Sequence, residues 1–198
     1  MIIVLSGKRK SGKDTLAGIL QEKYSYIPCS LAAPLKVMCR NEFGLTKEQT
    51  DGEFKEFPTH YIDYSAIEFP SYLTPRDIMI RMGQFYRSIN PHYWIDKLTR
   101  IIDNGLPQDV FVITDVRFMN ELVAFMAKKA LTVRLERSEV YTGTRIQDKS
   151  ETDLDGYDEW DLHIPEKENC ILEDLNKVAD KIHSLVEVRK SVKSVRSI

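Results

Sequence analysis

Gly7, Gly12 and Lys13 stand at the spacing G-x-x-x-x-G-K. That spacing turns several backbone N–H groups and one ammonium onto a single anion. The glycines let the chain curl so that successive amides, with Ser11 among them, converge on phosphate oxygens. The lysine supplies a full charge for the β and γ phosphates of a nucleoside triphosphate. Lys8, Arg9 and Lys10 crowd the same loop, a concentration of charge suited to two phosphate-bearing substrates held side by side. Asp14 follows Lys13 where such loops usually carry the Ser or Thr that ligates Mg²⁺. A carboxylate is a good ligand for that ion, directly or through water. The hydroxyl of Thr15 suits an α-phosphate oxygen. The chemistry expected here is binding of ATP with Mg²⁺ and in-line transfer of its terminal phosphoryl group, without a covalent enzyme intermediate. Lys13, Arg9 and arginines from a covering loop would neutralise its charge.

A second set of residues suits an acceptor that is itself a phosphate. Asp115 ends a strongly apolar stretch, the position from which an acid orients Mg²⁺ or a substrate group beside the phosphates. Its alternative role is to cap a helix. Arg117 lies two residues on, and Glu121 is spaced to pair with it across one helical turn. Lys36, Arg76, Arg81 and Arg87 are cationic clamps of the kind a monophosphate needs. Arg76 and Arg87 are eleven residues apart, three turns along one helical face, and Arg81 falls off that face. Trp94 and Tyr93 suit either base stacking or core packing. Arg134, Arg137 and Arg145 flank or lie within residues 138–160, a polar stretch positioned to close over the triphosphate and exclude water. Of the acids of that stretch, Asp148, Asp153, Asp155, Asp158 and Glu159, most are expected to be solvated, and Glu151 is set apart from them as an acceptor-side residue.

These residues need a scaffold, and the pattern of the chain supplies one. Residues 1–5 are an unbroken apolar run, as in a strand buried on both faces of a parallel sheet. Residues 13–24 have helical spacing, with Leu16, Ile19, Leu20 and Tyr24 on one face. A short strand is expected over 26–29 and a helix over 31–43, with Pro34 in its first turn and Gly44 just past its end. Residues 45–73 read as an irregular, partly helical excursion. Thr74-Pro75 starts a helix to about Ser88, and Asn90-Pro91 opens another to about Asn104. Strands follow at 110–113, 131–135 and 162–164, with helices over 117–129 and 171–188. The last ten residues read as a solvated or frayed terminus. Alternating strands and helices imply an α/β fold: a three-layer P-loop arrangement around a parallel sheet. It reads as one domain over 1–198, with a helical acceptor region at about 31–104 and a lid loop at about 138–160.

Composition narrows the setting. The chain has 198 residues, 42% hydrophobic and 29% charged, with a formal net charge of −2. That is an ordinary globular balance and not the basic one of a general nucleic-acid binder. Three dispersed cysteines, Cys29, Cys39 and Cys170, give neither a disulfide framework nor a zinc motif and suit a reducing cytoplasm. No apolar run approaches the roughly 20 residues a membrane span needs. The expected partners are small-molecule substrates, with no membrane, no stable nucleic-acid complex and a homodimer as an option.

The run Ser6-Gly7-Lys8-Arg9-Lys10-Ser11-Gly12-Lys13-Asp14, then Leu31-Ala32-Ala33-Pro34-Leu35-Lys36, then Thr74-Pro75-Arg76, Gly83, Arg87, Pro91 and Trp94 resembles bacteriophage-type deoxynucleoside monophosphate kinases. So do Thr114-Asp115-Val116-Arg117-Phe118 with Asn120-Glu121, and Ser150-Glu151 followed by Asp161. The resemblance implies an NMP-kinase-like P-loop fold that moves the γ-phosphoryl of MgATP onto a (deoxy)nucleoside monophosphate, in a host cytoplasm if the chain is phage-encoded. It implies Lys36, Arg76 and Arg87 near the acceptor, Asp115 and Arg117 between the substrates, and Glu151 on the acceptor side. Ile80 and Arg81 stand near the family's usual glutamine, and Asp148-Lys149 where a His usually precedes the Ser-Glu, so base preference stays open.

Two other readings remain. The loop sequence is also similar to animal phosphomevalonate kinases, which share the fold and a Pro-Leu-Lys. Their acceptor is another phosphorylated metabolite. The Pro91 and Trp94 pair and the Asp115-to-Glu121 run favour the nucleotide acceptor. A non-enzymatic nucleotide-binding switch is the third reading, but the Asn-Lys-x-Asp run of a guanine switch is absent, since Asn176-Lys177 continues as Val178-Ala179.

Overall fold

The computed structural model of the chain describes residues 1–8, 10–65, 71–137, 152–166 and 171–195. They divide into two compact units, Met1–Ser30 with Asn104–Ile198, and Leu31–Asp103.

The first unit is built on a five-stranded sheet. Its strands are β1 (Ile2–Ser6), β2 (Ile27–Cys29), β5 (Phe111–Ile113), β6 (Leu131–Leu135) and β7 (Leu162–Ile164), in the order β2-β5-β1-β6-β7. Every pairing is parallel, with Ile3 opposite both Val112 and Leu131. β1 is therefore the central strand, and all five of its residues are buried. This explains its continuous apolar run, because both faces of the sheet are covered. The chain reverses direction of winding around β1, so its carboxyl end opens at a switch point between β5 and β6.

Three helices flank the sheet. Helix α1 (Lys13–Tyr24) buries Leu16, Ala17, Ile19 and Leu20. The carboxy-terminal helix α7 (Leu172–Val195) packs against it and buries Leu175, Val178, Ala179, Ile182 and Val186. Helix α6 (Met119–Ala127) buries Leu122 and Phe125, while Met126 stays exposed. The tail expectation is corrected at this point. Helix α7 runs on through Val195, and Arg189 donates to Asp161 at 2.5 Å and to the Ala130 carbonyl at 3.2 Å. Asp161 in turn accepts the Thr132 backbone N–H at 2.8 Å. A charged residue near the end of the chain thus ties α7 to the edge of β6.

The second unit is mainly helical. It contains α2 (Ala32–Phe43), α3 (Lys47–Thr50), a 3₁₀ turn (Glu53–Glu56), α4 (Pro75–Ile89) and α5 (Tyr93–Asp103). Thr74 caps α4, accepting the Asp77 N–H, while Asp77 accepts the Thr74 N–H in return. This reciprocal box fixes the start foreseen at Thr74-Pro75. Helix α2 packs on α4 and α5, around Cys39, Leu45 and Ile78. The excursion over 45–73 holds an element the sequence did not announce, an antiparallel pair of β3 (Ile62–Asp63) and β4 (Ser71–Tyr72). Two-residue strands are too short to show alternation.

Among the described residues, no helix is long and apolar enough to cross a membrane.

Candidate functional site

The loop between β1 and α1 is shaped by its backbone. Gly7 has φ +148°, and a Cβ there would stand 2.3 Å from the Leu135 carbonyl oxygen and 2.6 Å from Ser11 Oγ. No other residue fits without moving β6. Lys10 and Gly12 also have positive φ, 63° and 93°. Gly12 is the N-cap of α1 and offers no side chain to its first turn. The amino end of a helix, left uncapped at the carboxyl edge of a parallel sheet, suits an anion. Ser11 is fully buried. Lys13 folds its ammonium back over the loop, donating to the Gly7 carbonyl at 2.6 Å, the Lys8 carbonyl at 2.7 Å and Ser11 Oγ at 3.1 Å. The expected cradle of Gly7, Ser11, Gly12 and Lys13 is thus one assembly. Asp14 and Thr15 lie exposed in the first turn of α1.

Neighbouring strands bring further groups to the same edge of the sheet. Val4 pairs with Ile113, so Asp115 follows β5 just as Ser6 and Gly7 close β1. Asp115 accepts the hydroxyl of Ser30, which follows β2, at 2.7 Å. Its charge adds to burial in pushing the Cys29 thiol up to about 12. Asp115 is not the cap of α6, which begins four residues later. The cap falls to two other carboxylates. Glu121, buried, accepts the backbone N–H of Arg117 at 2.9 Å and of Phe118 at 3.2 Å. Asp153 accepts that of Met119 at 2.8 Å. The expected Glu121–Arg117 contact therefore exists through the backbone, and the Arg117 side chain lies exposed.

Two acids of the 138–160 stretch are exceptions to the solvated majority. Asp153 and Asp155 are engaged rather than simply solvated. Asp155 pairs with Arg134 at 3.0 Å and with Lys8 of the phosphate loop at 3.3 Å. Arg134 also donates to Ser6 at 3.1 Å and lies over the Trp160 ring, 5.7 Å from its centre. Its side chain is only 13% exposed, which makes a counter-ion necessary. Leu154, buried between the two acids, fixes the turn that carries them. Arg137 donates to the Lys10 carbonyl at 3.3 Å, which puts one of the expected arginines on the loop.

In the second unit, the expected clamp residues are held by carboxylates. Lys36 pairs with Asp51 at 2.8 Å, Arg76 with Glu56 at 2.5 Å, and Arg81 with Asp63. Arg40, which sequence reasoning passed over, shares Asp51 at 3.1 Å. Burial alone would raise the Asp51 carboxyl, but the Lys36 bond and charge, Thr50 and Arg40 together hold it below its ordinary range. Arg87 lies folded along α4, because a Cβ on Gly83 would meet its guanidinium at 3.3 Å. Of the two roles open to Trp94, packing holds and base stacking falls: it is 2% exposed, and its indole N–H donates to the Gly83 carbonyl at 3.2 Å. Arg9, Arg145 and Glu151 lie outside the described residues.

Sequence reasoning missed Ser30, Arg40 and Asp51, and named Asp153 and Asp155 without their contacts. Ser30 was findable, as a hydroxyl at the carboxyl end of a strand. The four others are polar residues in polar stretches, where no period or spacing marks a contact.

Residues 1–68 match the model of the deoxynucleotide monophosphate kinase family. The match spans the phosphate loop, α1, β2, α2 and the segment with Asp51 and Glu56. It supports a kinase that phosphorylates deoxynucleotide monophosphates, with a nucleotide as phosphate donor and small-molecule substrates. The parallel sheet with flanking helices is consistent with an α/β P-loop kinase-like fold.

Proposed function

We propose that the chain transfers the γ-phosphoryl group of ATP to a deoxynucleoside monophosphate, yielding ADP and the deoxynucleoside diphosphate. The observation that carries this reading is the Lys13 ammonium seated among the Gly7 and Lys8 carbonyls and Ser11. It lies at the carboxyl end of the central strand, in a stretch that matches the kinase family. Gly7, Lys8, Lys10, Ser11, Gly12 and Thr15 would hold the triphosphate, with Arg137 and Arg145 above it. Lys13, Arg9 and Arg117 would balance charge on the transferring group. Lys36, Arg76 and Arg87 would take the acceptor phosphate, and Glu151 would lie beside the acceptor.

Mg²⁺ fits the donor set. Among the described residues, no group of three or more His, Cys, Asp or Glu side chains could hold a metal. Phosphoryl-transfer Mg²⁺ needs no such cage, since one or two carboxylates with phosphates and water suffice. Asp14, in the first turn of α1, and Asp115, after β5, would supply those carboxylates. The ion would neutralise charge on the β and γ oxygens.

The reading carries a cytoplasmic setting with it, a host's if the chain is phage-encoded, and a homodimer is the assembly to look for by light scattering. A coupled assay of ADP release, run against deoxynucleoside monophosphates, ribonucleoside monophosphates and phosphomevalonate, tests the function. Acceleration by one or more deoxynucleoside monophosphates is expected. Acceleration by phosphomevalonate alone would transfer the assignment to the metabolite kinase. No acceleration by any of them would end both.

A further inference from the structure

The acceptor-side cations already hold anions, and two of those anions come from one short segment. Asp51 closes α3 and accepts Lys36 at 2.8 Å, Arg40 at 3.1 Å and the Thr50 hydroxyl at 3.1 Å. Glu56 ends the 3₁₀ turn and accepts Arg76 Nε at 2.5 Å. Lys36 comes from α2 and Arg76 from α4, so residues 51–56 present one carboxylate to each of two helices. Both pairs are partly exposed, with side chains between 26% and 41% accessible. Ion pairs of that kind are held weakly enough to exchange. A carboxylate offers one negative charge and two oxygens. A phosphomonoester offers about −1.5 to −2 and three oxygens at neutral pH.

We propose that Asp51 and Glu56 are specificity-determining counter-ions, standing where the acceptor's phosphate must go and yielding only to a dianion. The inference rests on the reading that Lys36 and Arg76 bind the acceptor. It adds a selection rule to it. A phosphomonoester displaces the two carboxylates, whereas a monoanion such as a phosphodiester gains nothing over what the cations already hold. The same carboxylates keep the cations in place between turnovers, so the site does not collapse on itself.

The test uses the full chain and its Asp51→Asn, Glu56→Gln and doubly substituted forms, titrated with inorganic phosphate and with dimethyl phosphate. Binding is read from the amide resonances of α2 and α4, so that phosphate at the Gly7–Gly12 loop does not register. Each single variant is expected to bind phosphate about two- to fivefold more tightly, the range a half-exposed pair can contribute. The double variant is expected to gain binding of dimethyl phosphate that the parent lacks. Glu173→Gln, which breaks an exposed pair with Lys177 on α7, makes the same charge change elsewhere and should leave both titrations unmoved. In turnover, the acceptor KM should fall in the single variants while kcat is held. Unchanged or weaker phosphate binding in them, or an acceptor KM that rises, overturns the proposal. Should Asp51→Asn fail to fold, Glu56→Gln decides alone. If no monophosphate is phosphorylated by the parent but the titrations behave as described, the kinase reading falls and the counter-ion role stands.

Discussion

The two units handle anions by different means. In the first, the cradle is made of backbone, and its shape is forced. Gly7 is pressed against Leu135, Gly12 leaves the first turn of α1 uncapped, and the Lys13 ammonium rests on loop carbonyls. In the second, the cations sit on long side chains and are held in place by Asp51, Glu56 and Asp63. A backbone cradle is set by covalent geometry and loses little freedom when it binds. A side-chain clamp has to exchange partners, which makes it adjustable. Under the proposed function the difference has a use: a fixed seat would serve the common donor and a selective seat the acceptor.

The sharpest way to break this contrast is Lys13→Ala. Its ammonium is folded back onto the carbonyls of the loop itself, and turnover should drop by several orders of magnitude. Gly7, Lys8 and Ser11, which accept from it, belong to the loop and not to the apolar core, so the thermal midpoint should move little. Turnover near the parent's would remove the first unit from the chemistry. A smaller and different effect is expected in the second unit. Arg76→Ala and Arg87→Ala each remove a charge-assisted contact worth about 1.5–3 kcal/mol, a roughly 10- to 150-fold rise in acceptor KM. The KM for ATP should stay put. A matching rise in both constants would show that the two seats do not divide the substrates.

The contrast also governs what could be read from the sequence. Backbone-made features have residue signatures: Gly at positive φ, Thr-Pro at a helix start, an apolar run for a doubly covered strand. Hence β1, the phosphate loop, α1 and the starts of α2 and α4 were legible, as was the alternation that implies a parallel sheet. Features made by side-chain pairing have no such signature. Asp51, Asp153 and Asp155 are acids among acids, and their partners on other elements lie at least 11 residues away. Trp94 was ambiguous for a related reason. An indole suits both a base and a core, and its burial together with the Gly83 carbonyl within reach of its N–H decides for the core. Arg189 looked like part of a frayed tail because its partner Asp161 sits on another element.

Asp155 sharpens the comparison, being the place where the first unit uses the second unit's device. It joins a mostly buried Arg134 to Lys8 of the loop. Asp155→Ala should lower stability by about 1–2 kcal/mol, the cost of leaving Arg134 without this partner, discounted for the exposure of the carboxylate. Urea unfolding measures the loss. The salt dependence of ATP binding should also grow, because Lys8 becomes available to phosphate. A variant with parent stability and parent salt dependence would mean that the contact does nothing for the loop.

The smallest expected effect separates the units by alkaline pH. Burial pushes Tyr26 up to about 12, aided by the charges of Glu187 and Tyr24, and Cys29 up to about 12. Both belong to the first unit. In the second, burial takes Cys39 to about 11, against the opposing charge of Arg40. Each group is neutral when folded. Unfolded, the thiols lose their protons near 9.0 and the phenol near 10.0. Above those values the unfolded chain binds fewer protons than the folded one, so stability falls as pH rises, until the folded values are passed. Each group contributes at most about 1.4 kcal/mol per pH unit within its window. Hydrogen exchange should therefore show β2, flanked by Tyr26 and carrying Cys29, losing protection faster than α2 between roughly pH 9 and 11. Cys29→Ser removes one titrating group from the first unit without altering the second. It should flatten the slope at β2 and leave that at α2 as it was. Equal slopes in the parent, or no change at β2 in the variant, would place the alkaline weakness elsewhere than in these buried groups.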